Sequence, residues 1–122
     1  GAAVCLATDV SGGHYTSIAK VMALAVQVSK LIKLLPGQED VTPLSLSEVF
    51  YMGTKNPGSF FGKVGSFEPG YEFDAIVVDD DNIADPNSRS IEERLERFLY
   101  IGSEQNIMER YICGKKIPRP LF

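Results

Sequence analysis

The chain has 122 residues, 44% of them hydrophobic and 23% charged, which is enough for a real core and is the composition of a soluble globular protein. Its net charge of −4 argues against a nucleic-acid surface, and no apolar run approaches the roughly 18 residues that a membrane span needs. Neither nucleic acid nor a membrane is therefore an expected partner.

The chain opens on the apolar run Ala2-Ala3-Val4-Cys5-Leu6-Ala7, which ends abruptly in Thr8-Asp9-Val10-Ser11-Gly12-Gly13. Such a run, closed by a polar pair and two glycines, reads as a buried strand stopping at a loop. A strand of this kind needs neighbours on both sides, and no second strand of the same buried, parallel character follows. The expectation is a piece of something larger. The first residues lack the charged start and cleavage pattern of a secretion signal, so a cytoplasmic location is expected.

From Ser17 to Leu35 the apolar residues Ile18, Val21, Met22, Ala25, Val28 and Ile32 recur at three- and four-residue steps, one face of a helix. Pro36-Gly37 ends it. Ser45-Leu46-Ser47-Glu48 is a capping box that announces a second helix to about Lys55, broken by Asn56-Pro57-Gly58. The stretch from Gly58 to Gly70 is punctuated by glycine and delivers the chain into a strand at Ala75-Ile76-Val77-Val78. A third helix begins at Ser90, with Glu93 completing another capping box and Ile91, Leu95, Phe98 and Leu99 as its apolar face. The run from Ile107 to Cys113, followed by Gly114-Lys115 and Lys116-Ile117-Pro118, reads as a terminal β-hairpin with a tight turn.

Asp9 is the residue to explain. A carboxylate at the C-terminal end of a buried strand is where α/β enzymes place catalytic groups, because the strand fixes the side chain and the loop leaves it reachable. The same pattern also suits a helix cap or a loop anchor. Ser11-Gly12-Gly13 offers amides to an anion, although neither the P-loop nor the dinucleotide glycine spacing is present. Asp79-Asp80-Asp81-Asn82 lacks the alternating ligands and distant glutamate of a calcium loop and reads as a solvated turn. His14 is the only histidine, which cannot build a zinc site by itself. Cys5 and Cys113 lie in apolar runs and read as buried thiols, and Lys115-Lys116-Ile117-Pro118-Arg119 reads as a solvated tail. Composition and spacing alone display no enzyme.

The segment Leu6-Ala7-Thr8-Asp9-Val10-Ser11-Gly12-Gly13-His14 resembles the end of the eighth barrel strand in the amidohydrolase superfamily, and more narrowly in the guanine deaminase family. The stretch from Ser59 to Ala75 is similar to that family's return from the barrel into its small β domain. So are Glu92 to Gly102, Asn106-Ile107 and the closing Tyr111-Ile112-Cys113-Gly114-Lys115-Lys116. The likeness runs nearly the full length in the expected order, with departures at Ala7 and Cys5, where relatives usually or often carry glycine.

The resemblance implies an α/β chain that is the C-terminal fragment of a (β/α)8 metallo-hydrolase barrel plus part of a small β-sandwich. Residues 1–58 would hold the last barrel strand and its helices, and residues 59–122 the C-terminal part of the sandwich with one helix. It also implies that the parent is a metal-dependent aminohydrolase that turns guanine into xanthine and ammonia with one zinc ion, held by histidines upstream of this chain. Asp9 would complete the metal site as ligand and act as the catalytic acid/base. The family is commonly dimeric, so a homodimer is expected, as is inactivity of this fragment without the remainder of the polypeptide. A related aminohydrolase or chlorohydrolase, and a stand-alone structural domain without catalysis, are the competing readings.

Overall fold

The computed structural model describes residues 3–118. Helix α1 spans Ile18–Ile32, α2 Leu46–Gly53, α3 Lys55–Gly58 and α4 Ile91–Ile101. Strands β1 (Ala75–Val78), β2 (Ile107–Ile112) and β3 (Lys115–Ile117) form one antiparallel sheet in the order β1-β2-β3.

Two helices start where their sequences say they should. Ser45 accepts from the Glu48 amide at the head of α2 while the Glu48 carboxylate accepts from the Ser45 amide, and Ser90 and Glu93 do the same for α4. Each reciprocal pair satisfies two backbone donors that the first turn otherwise leaves open. Asn56-Pro57-Gly58, expected as a break, instead lies within the one-turn helix α3. Proline is tolerated there because the first turn has no intrahelical use for its missing N–H.

The core is where α1 meets α2 and α4: Met22, Ala23 and Val26 pack with Val49, Phe98 and Leu99. Burying a Met, Val, Leu or Phe side chain contributes about 1.5–3 kcal/mol. The buried stripe of α1 runs through Met22, Val26 and Ser29 and leaves Val28 and Ile32 exposed, a rotation from the expected face. The reason is that α1 serves two helices at once, so its stripe centres between them. Ser29 is buried because its hydroxyl is used twice, donating to the Val26 carbonyl at 2.7 Å and accepting from the Leu44 amide at 2.9 Å. On α4, Phe98 and Leu99 are buried as expected, whereas Ile91 at the first turn is exposed.

The hairpin turn is Cys113-Gly114, with φ of 47° and 74°, the left-handed pair that matches the twist of two short antiparallel strands. This turn is tied to the entrance of β1: Gly114 N–H donates to Phe73 O at 2.9 Å, and Cys113 N–H to Asp74 Oδ1 at 2.7 Å. Cys113 is therefore exposed, and so is Cys5, against the expectation of buried thiols. Arg119 of the basic cluster lies outside the described residues.

Asp79-Asp80-Asp81-Asn82 is a structural junction. Asn106, 3% exposed, accepts from the Ser103 amide at 2.9 Å and donates to Asp79 O at 2.8 Å and Asn82 Oδ1 at 2.5 Å. Arg94 holds Asp80 through two guanidinium nitrogens, at 2.7 and 2.6 Å. This acidic run thus links β1 to α4 and β2.

Candidate functional site

The expected strand over residues 2–7 is not found in the described part of that run. Residues 3–9 form no strand, and Val4 and Cys5 are exposed. No partner strand lies beside it among the described residues: two hydrogen bonds hold residues 3–8, and both tie them to helices. Leu6 N–H donates to Met52 O at 2.9 Å, and Asn56 Nδ2 donates to Val4 O at 2.7 Å.

Beyond this segment the chain turns sharply. Asp9 has φ of 46° and Ser11 of 79°, left-handed conformations in which non-glycine residues are uncommon and which carry a cost of order 1–3 kcal/mol. The Gly12 amide donates to Asp9 O at 2.9 Å, and the Gly13 amide donates to the same oxygen. Both glycine amides are thus spent inside the turn, which removes them from the anion cradle that their sequence allows. Neither glycine has a positive φ, so what they supply is space. A Cβ on Gly13 would run into the Thr8 carbonyl and lie 3.0 Å from Asp9 O, and one on Gly12 would lie 2.7 Å from Asp9 Oδ2.

The turn leaves Asp9 exposed, with a carboxylate that accepts no hydrogen bond from the described residues. A free carboxylate of this kind can accept a proton or offer one oxygen to a cation. No group of three or more His, Cys, Asp or Glu side chains able to hold a metal ion occurs among the described residues. What this chain offers a metal here is a single oxygen ligand. His14 is exposed and packs edge-to-face on Tyr15, ring centroids 4.5 Å apart. A cavity of about 650 Å³ lies between α1, α2, β1 and α4 and does not include Asp9. Its walls are apolar, with Met22, Phe50, Phe67 and Phe98 among them.

The arrangement of helices and small antiparallel sheet is shared with proteins already described. The chain belongs to the Amidohydrolase family, which matches residues 1–116. Within that family it is similar to guanine deaminases. It is 33% identical to guanine deaminase of Homo sapiens over 123 residues, covering 92% of this chain and 27% of the relative. It is 29% identical to that of Dictyostelium discoideum, with 92% and 26% covered. The crystal structure of guanine deaminase from C. acetobutylicum with bound guanine in the active site superposes with a TM-score of 0.87 at 53% identity, over 93% of this chain and 27% of that one. E. coli guanine deaminase, 24% identical with a TM-score of 0.76, shares the fold. The chain spans about a quarter of the length of these relatives.

Sequence reasoning placed Asp9 and the two glycines together but missed Met52 and Asn56, the groups that anchor the segment. An amide-to-carbonyl bond across 52 residues leaves no periodic trace in the sequence.

Proposed function

We propose that this chain is part of a guanine deaminase, in which guanine and water give xanthine and ammonia. The observation that carries the proposal is the 53% identity, at a TM-score of 0.87, to a guanine deaminase with guanine in its active site. In this reading residues 1–58 close a (β/α)8 barrel and residues 59–122 belong to a β-sandwich whose remaining strands come from elsewhere in the polypeptide. The exposure of Val4, Val10, Phe60, Phe61 and Ile76 fits a chain whose apolar surfaces are covered by the rest of the protein.

Asp9 is the residue assigned to the chemistry. Its exposed carboxylate, without a partner among the described residues, is a hard oxygen donor that suits zinc as one ligand, with histidines outside this chain supplying the others. When bound, zinc would supply acidity, lowering the pKa of a coordinated water to about 7. Asp9 takes the proton of the attacking water as the C–O bond forms at the amino-bearing ring carbon. It returns a proton to the amine nitrogen, which must leave as ammonia when the C–N bond breaks. The turn's task is to hold the carboxylate within about 2.6–3.2 Å of the oxygen or nitrogen that bears the proton it moves.

The test is ammonia release from guanine by the full-length protein, with and without a zinc chelator. Release that the chelator suppresses supports the proposal. A folded, zinc-loaded protein that leaves guanine untouched and deaminates another amino-heterocycle overturns the substrate assignment.

A further inference from the structure

Helix α1, which follows the Asp9 turn, begins differently from α2 and α4. Ser17 stands at its N-cap position without a side-chain hydrogen bond to the first turn, and no acidic residue lies in that turn. The charged residue there is Lys20, a cation at the end of the helix where the backbone dipole disfavours one. Its partner explains the choice. The ammonium donates to Tyr100 O at 2.8 Å, in a half-buried place and across 80 residues of sequence. Tyr100 is in the last turn of α4, where the final carbonyls have no partner within their own helix and a cation is favoured. That turn holds no basic residue of its own, so Lys20 supplies what the end of α4 lacks.

We infer that Lys20 is a positioning residue: by tying the head of α1 to the end of α4 it fixes where the turn that carries Asp9 must lead, an inference that rests on the proton-transfer role proposed for Asp9. The packing beside the tie is firm. Met22, Ala23 and Val26, in the turns after Lys20, share one core with Phe98 and Leu99, the two residues before Tyr100. At its other end the Asp9 turn is held by Gly13, which folds against the Thr8 carbonyl and gives its amide to Asp9 O. With only residues 14–17 between Gly13 and α1, a displaced helix head pulls on that turn. A displacement of about 1 Å at a reacting group costs on the order of a hundredfold in rate. Both ends of the tie lie on this chain, so it calls for nothing from the rest of the polypeptide.

The experiment compares Lys20→Met and Lys20→Arg in the full-length protein, reading kcat and KM for ammonia release from guanine together with hydrogen exchange at single amides. Methionine keeps an apolar stem and loses the donor, whereas arginine keeps the charge and the donors. Lys20→Met is expected to lower kcat about five- to fiftyfold with KM changed less than about threefold, and Lys20→Arg to stay within about threefold of the parent. The Val21 amide, which opens the α1 ladder on Ser17 O, is expected to exchange at least about fivefold faster in Lys20→Met, with the Val49 amide unchanged. A residue that only stabilised the fold would speed exchange at Val21 and Val49 alike and leave kcat where it was. A kcat within about twofold of the parent in Lys20→Met, an equal rise in exchange at Val49, or a Lys20→Arg variant as slow as Lys20→Met overturns the inference. A parent inert on guanine overturns the function instead, and Val21 exchange then decides the tie: faster upholds it, and unchanged removes it.

Discussion

Gly13 folds so closely over Thr8 that a Cβ on the glycine would collide with the Thr8 carbonyl oxygen. The residue between this carbonyl and the rest of the turn is Asp9, whose own carbonyl receives the amides of Gly12 and Gly13. The shape of the turn, and with it the direction of the Asp9 carboxylate, therefore depends on the missing side chain at 13.

The two glycines differ in what they would strike, and that difference is measurable. Gly13→Ala meets backbone and must move the turn, whereas Gly12→Ala meets the end of the Asp9 side chain, which can rotate aside. Gly13→Ala is expected to lower turnover on the order of a hundredfold, and Gly12→Ala distinctly less. Steady-state kinetics on both variants in the full-length protein checks the ranking. Equal effects, or the reverse order, would contradict the packing described.

Asn106 joins three pieces of chain with its side chain alone, and its backbone carbonyl accepts from the Asp79 amide at 2.8 Å. Asn106→Ala strands the Ser103 amide and the Asp79 carbonyl in a half-buried place. The expected loss is about 2–4 kcal/mol, from hydrogen bonds removed and groups left unsatisfied. Urea unfolding reads it directly, and a shift below about 0.5 kcal/mol would show that the junction is held by other means.

Acid weakens the helix α4 region for a stated reason. The Arg94 guanidinium bonded to Asp80 holds that carboxyl below its ordinary range, and Arg89, with the Asn87 amide, does the same for Asp85. A carboxyl depressed in the folded state stabilises above its unfolded value and loses that contribution as pH falls through the folded one. The melting temperature is therefore expected to decline below about pH 4, and less steeply in Asp80→Asn. The arginines are exposed and the two carboxylates partly so, so the slope is modest and weaker still in high salt. Identical slopes in Asp80→Asn and the parent would remove Asp80 from the account.

What was legible in the sequence was local. Ser45 with Glu48, Ser90 with Glu93, and the tight turn after Ile112 are decided within four residues, and each stands where the pattern puts it. What was not legible depends on partners far along the chain. The rotation of α1 follows from Val49 and Phe98 pressing from two sides, which the apolar spacing of α1 cannot record. The run from Ala3 to Ala7 has the composition of a buried strand, yet backbone pairing, and not composition, makes a strand, and its partners here are Met52 and Asn56. The apolar company that Cys5 and Cys113 keep in sequence predicts burial. Their exposure follows from an unpaired segment in one case and a left-handed turn in the other. Asp9 was singled out by its place before two glycines, while the spacing those glycines provide became visible only in three dimensions.

The central claim is that Asp9 moves the proton, and the most direct test compares Asp9→Asn with the parent in the full-length protein, reading ammonia released from guanine alongside the circular dichroism of each. Asparagine keeps the shape of the side chain and cannot take up a proton at neutral pH. The account predicts a loss of at least about a hundredfold in turnover with the spectrum unchanged, the scale on which a positioned acid/base acts. Turnover close to that of the parent, from a variant that folds like it, would contradict the claim.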